Sequence, residues 1–148
     1  RLRLGSQHGQ GDILMAVLTD VGAYLDTNVT AVSLTAGTNL FYGRLPDSPD
    51  TCVALYETGG QAPEDTMGNN SAPVFENPRV QIIVRASDYS SAETLIRDCW
   101  DKLQLVSNET LTSTHYFRIN AVQSPFALER DSQDRMMMAC NFQIVKTP

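Results

Sequence analysis

His8 and His115 are the two imidazoles of this chain, and neither stands near a Cys, Asp or Glu at a spacing that could close around a metal ion. No HExxH, paired CxxC, GxSxG nucleophile elbow or Walker A loop occurs. Cys52, Cys99 and Cys140 lie far apart, each at an apolar position of a predicted element. An odd, unpaired set of this kind reads as small buried hydrophobes in a reducing compartment, not as a disulfide framework or zinc site. Glu64 and Asp65 are adjacent carboxylates, but they fall in a stretch without periodicity. Acid–base work needs carboxylates fixed by a rigid scaffold, so these two read as solvated or partner-facing. Gly59–Gly60 follows a strand with no Lys-bearing helix behind it, which suits the flexible root of a loop better than a phosphate cradle. The residues therefore give no catalytic, cofactor-binding or metal-ligating set.

Charged residues give the candidate contact sites instead. ERDSQDR, residues 129–135, mixes Glu129, Asp131 and Asp134 with Arg130 and Arg135. One reading is a polar loop tip. The other is an ion-pair cluster between subunits, in which planar guanidinium groups match a neighbour's carboxylates. Arg85 and Arg118 fit the same network, and Arg44, just after a strand, is a further candidate. Between residues 45 and 78 stand six acids (Asp47, Asp50, Glu57, Glu64, Asp65 and Glu76) and no Lys or Arg, a number equal to the whole formal net charge of −6. A general nucleic-acid binder would show a basic stripe. This acidic stretch would repel nucleic acid or meet a basic partner.

The elements that must position these residues are legible from periodicity. Arg79–Arg85 alternates as a strand. A turn over Ala86–Tyr89 leads to a helix with Ser90 as N-cap and Glu93 at capping-box spacing. Ala92, Leu95, Ile96, Cys99, Trp100, Leu103 and Val106 form its apolar stripe. Upstream, Asp12 is placed to cap a helix running to about Asp26. Thr27–Asn39 reads as a connector with a short strand at Ala31–Leu34. Leu40–Arg44 and Thr51–Thr58 read as strands around the LPDSPD turn, and the second, apolar on both faces, as a central one. Gly59–Pro78 reads as a twenty-residue loop at the tip of a long hairpin that closes against Arg79. After the helix, Ser107–Ser113 reads as a polar connector, and His115–Gln123 and Met136–Val145 as strands, the first with Phe117, Ile119 and Ala121 alternating against Tyr116, Arg118, Asn120 and Val122. The order α-β-β-β-α-β-β implies an α+β domain over residues 12–148, a mainly antiparallel sheet flanked by two helices. Residues 1–11 read as a flexible arm. They lack the apolar run of a secretory signal, so no export is expected. No run of eighteen apolar residues predicts a membrane span.

The ordered phrases FYGRLPDSPDTCVALYETGG, PRVQIIVRASDYSSAETLIRDCWDKL and INAVQSPFALERDSQDRMMMACNFQIV, behind a leading helix, resemble the tail terminator (tail completion, or minor capsid) proteins of long-tailed bacteriophages. The likeness spans about Ile13 to Val145. It implies a structural virion protein of the tail or neck, made in the host cytoplasm. It further implies a homo-hexameric ring that caps the tail tube, stops polymerisation of the major tail protein and meets head–tail connector proteins. DNA would pass through the channel without specific binding, and Thr58–Asn77 would lie at a ring face or lumen. A neck, head-closure or minor capsid role is the near alternative. A small cytoplasmic α+β enzyme with a lid loop, or a ligand-binding regulatory domain, would need a pocket with converging polar groups.

Overall fold

The structure, a computed structural model, describes residues 16–64 and 75–148. The expected arm, the Asp12 cap and Asp65 lie outside them. Helix α1 (Ala16–Asn28) buries Val17, Leu18, Val21 and Leu25 on one stripe. It runs two residues past the expected end. There the Thr27 hydroxyl donates to the Ala23 carbonyl and Asn28 Nδ2 to that of Tyr24, satisfying acceptors that a helix end leaves open. A Cβ at Gly22 would overlap the Tyr42 ring, so this glycine permits the close approach of helix and sheet.

No strand forms at Ala31–Leu34. The segment stays irregular because side chains supply its partners. Asp98 accepts from the Thr30 and Ala31 amides at 2.8 and 2.9 Å, and Asn39 bridges the Thr35 amide and the Ser33 carbonyl. Leu34 still plugs into the core.

The sheet contains β1 (Leu40–Tyr42), β2 (Cys52–Glu57), β3 (Gln61–Glu64), β4 (Phe75–Asn77), β5 (Arg79–Ala86), β6 (Ser107–Leu111), β7 (Thr114–Ala121), β8 (Phe126–Ala127) and β9 (Met136–Lys146). β5 lies between β2 and β9, and β9 receives β7 and β8 on its other edge. All pairings are antiparallel except β1 with β2, whose Leu40 lies opposite Val53. The expected antiparallel hairpin of β2 and β5 is present, and β2 is buried along most of its length.

Four strands go beyond the sequence reading. At both ends of the expected loop Gly59–Pro78 the described residues continue the β2–β5 hairpin, as β3 pairs with β4. At its root Gly60 lies so close to the Asn77 carbonyl that any Cβ would collide with it. Asn77 then clamps the ribbon, donating to the Ala62 carbonyl and to Glu64 Oε2 at 3.0 Å. Ser107–Ser113 is also no plain connector. Ser107–Leu111 forms the exposed edge strand β6, whose polar composition hides a strand that needs no apolar face. β8 is a two-residue patch on β9.

Helix α2 (Tyr89–Leu103) starts one residue before the expected cap. Asp88 has extended backbone and accepts the Ser91 amide at 2.7 Å, so it is the N-cap in place of Ser90. That hydrogen bond holds the Asp88 carboxyl below its usual range. Both helices pack on one face of the sheet, in a single core with Val53 and Leu55 of β2, the row Val80, Ile82, Val84 of β5 and the row Met138, Cys140, Phe142, Ile144 of β9. A bulge between Tyr116 and Arg118 on β7 corrects the expected alternation: Tyr116 turns inward with Ile119 and is fully buried.

Candidate interaction surfaces

The face of the sheet away from the helices carries Arg85 and Arg118 among the candidate residues, and its two ends differ. At one end Arg85 and Arg135, the latter expected on a loop tip, are buried. Arg85 Nη2 donates to the Pro49 carbonyl at 2.6 Å and Nε to that of Asp50. Arg135 Nε meets Asp131 Oδ2 at 2.7 Å, and one Nη meets Asp50 Oδ1 at 3.0 Å and the Asp47 carbonyl. The two guanidinium groups thus pin the LPDSPD turn down, with donors engaged inside their own chain.

ERDSQDR is a folded turn around Asp131. Its Oδ1 accepts the Gln133 and Arg135 amides. Desolvation works to raise this carboxyl's pKa, but the hydrogen bonds from Arg135 and Gln133 outweigh it and hold it below the usual range. Asp134 closes the turn with a φ of 62°. Arg130 and Glu129 stay exposed; Arg130 reaches the Asp134 carbonyl at 3.0 Å and its carboxylate at 3.7 Å. Arg44 is exposed and lies over the Phe41 ring.

At the other end the face is open. Arg79 lies opposite Gln143, and Gln143 opposite Asn120; the next row sets Tyr56, Gln81 and Asn141 side by side. Arg118 stands beyond, opposite Val145, with Nε donating to Asn120 Oδ1. These rows are partly or fully exposed, contain two arginines and no acid, and lie on the face that neither helix covers. Within them Arg79 Nε is buried without a hydrogen-bond partner. Sequence reasoning took Arg79 only as a strand start and missed it; the signal available was its even spacing with Arg85 on the same strand face.

The acidic residues gather on the extended ribbon. Glu57 ends β2, Glu64 ends β3, and Glu76 on β4 pairs with Lys146 Nζ at 2.9 Å. Lys146 is buried at the last inward position of β9, a cation the sequence reading left just outside its strand. Desolvation raises the Glu57 pKa against the opposing pull of Lys146. Nearby, the buried Tyr116 hydroxyl donates to Asp20 at 2.8 Å. Burial, then that bond, pushes the phenol well above its ordinary range.

Among the described residues no group of His, Cys, Asp and Glu is placed to hold a metal. The three cysteines are free and buried; burial pushes Cys140 up to about 12. The surface hollows are shallow. One of about 340 Å³ lies between α1 and β6, lined by Asp20, Tyr24, Thr27, Asn28, Glu109 and Thr112 among others. No described helix is long and apolar enough to cross a membrane.

A family model described as "Bacteriophage tail terminator protein" matches residues 23–148. Among solved structures, a chain of the "Virion of native gene transfer agent (GTA) particle" shares the fold with a TM-score of 0.61 at 17% identity, covering 86% of this chain and 92% of its own. Among individually curated proteins none matches significantly. The match, which runs through nearly the whole helix–sheet domain, establishes that the chain belongs to the bacteriophage tail terminator family, a family of structural virion proteins and not of enzymes.

Proposed function

We propose that the protein assembles into a closed homo-hexameric ring that caps the tail tube, halts polymerisation of the major tail protein and offers a docking surface to the head–tail connector or neck proteins. The observation that carries this reading is the partly exposed outer sheet face. It bears two arginines and amide side chains, and neither described helix covers it. The Arg79 side chain makes no hydrogen bond or ion pair among the described residues, so the exposed end of its guanidinium is open to an acceptor on a neighbour. The family membership supports the placement in the tail.

The acidic ribbon fits the same picture. Glu57, Glu64 and Glu76 project a negative field that would keep passing DNA from adhering to a channel wall. Electron microscopy of the purified protein, alone and with tail tubes, tests the ring directly. Phage lacking the protein should carry overlong or unattached tails. Cross-linking separates this role from a neck or head-closure one: contacts to the major tail protein support it, and contacts confined to the connector contradict it.

A further inference from the structure

We propose that the open half of the outer sheet face receives the acidic β3–β4 ribbon of a second copy of this chain, with Arg79 as the central cation and Glu64 as the carboxylate it takes. This rests on the ring reading and adds the two surfaces that make the joint.

Three observations meet here. The Arg79 side chain makes no hydrogen bond or ion pair among the described residues, and although its Nε is buried the residue is partly exposed, so its terminal guanidinium nitrogens are the donors open to a neighbour's carboxylate. One same-face position away on the two neighbouring strands, Tyr56 and Val145 are partly exposed and flank it. β3 is exposed at all four residues, pairs only with β4 among the described residues, and ends in Glu64, whose Oε2 takes Asn77 Nδ2 inside the ribbon and leaves Oε1 to face outward partners. Charge complementarity selects the occupant. The receiving rows contain arginines and no acid, whereas residues 45–78 contain acids and no base. Because the two patches differ, the contact is head-to-tail, and contacts of that type generate rings when the rotation closes.

Charge reversal tests the joint. Arg79→Glu and Glu64→Arg are each purified, checked for fold by circular dichroism, and assayed for self-association by sedimentation beside the wild type. Each single variant should lose roughly thirtyfold or more in association constant. Mixing the two variants should restore assembly. The reversed sheet face of the Arg79→Glu subunit then meets the reversed ribbon of the Glu64→Arg subunit, and the unaltered face of the second meets the unaltered ribbon of the first. Because Glu64→Arg also removes the Asn77 bond inside the ribbon, Glu64→Gln, which keeps an acceptor for Asn77 and drops the charge, is run beside it; if Arg79→Glu fails to fold, loss of association in Glu64→Gln supports the joint and undiminished association overturns it. A wild type that assembles while both folded variants assemble equally well overturns this joint and leaves the ring standing. A wild type that stays monomeric with and without tail tubes overturns the ring reading, and the joint with it.

Discussion

Arg79 and Arg85 sit six residues apart on one strand and point to the same face of the sheet, yet their surroundings are opposite. Arg85 is buried with its donors on the Pro49 and Asp50 carbonyls, beside an equally engaged Arg135. Arg79 is partly exposed, and its buried Nε has no partner. One guanidinium is consumed in holding a turn against the sheet. The other is left available for a contact the single chain does not make. The same residue type on the same strand thus serves folding at one end and, in our reading, assembly at the other.

The largest effect that could break this contrast is at Arg85. Arg85→Ala should lower the unfolding free energy by about 3 kcal/mol, because a buried guanidinium that ties two turn carbonyls to the sheet is lost and leaves a cavity. Arg79→Ala should leave it within about 0.5 kcal/mol of wild type. Urea denaturation of both variants measures the difference, and equal losses would erase the distinction. Arg135→Gln should loosen residues 45–50 and 129–135 together, read as faster amide exchange in those segments with the helices unchanged.

Acid should act on the same turn. The Asp131 carboxyl is held below its unfolded value, so its contribution is present above the unfolded pKa of roughly 4 and is lost as pH falls through the lower folded value. Asp98 is depressed too: desolvation opposes, but bonds from Lys102, Ala31 and Thr30 prevail. Below about pH 4 both clamps should therefore weaken, and Asp98→Asn should flatten the acid limb of a stability-versus-pH curve. The smallest effect is expected at Arg130, an exposed residue in a 3.7 Å pair. Arg130→Glu should change stability by no more than about 0.5 kcal/mol, and any loss of assembly in that variant would extend the contact surface to the turn.

The parts of this fold legible in the sequence were those fixed by apolar periodicity. The α2 stripe and the strands β5 and β9 bury regular rows, β2 is apolar on both faces, and β7 carries an apolar row broken once; such patterns show in one dimension. β6 and the β3–β4 ribbon were not legible because they are exposed and polar; their evidence is backbone pairing, which leaves no apolar trace. Tyr116 was assigned to the wrong face because a bulge shifts the alternation without changing composition. Of the candidate contact residues, the charge type was readable but its fate was not. Arg135 and Arg130 look alike in ERDSQDR, and only the distant Asp47–Asp50 turn decides that one of them is buried. Arg79 escaped notice because an unpaired atom is visible only once its neighbours are placed.

The central claim is that this chain works as one subunit of a closed assembly. Native mass spectrometry of the wild-type protein, over rising concentration and with purified tail tubes added, tests it most directly. The account predicts a single discrete species of six copies, formed alone or on the tube. A monomer under every condition, including tube in excess, would contradict it.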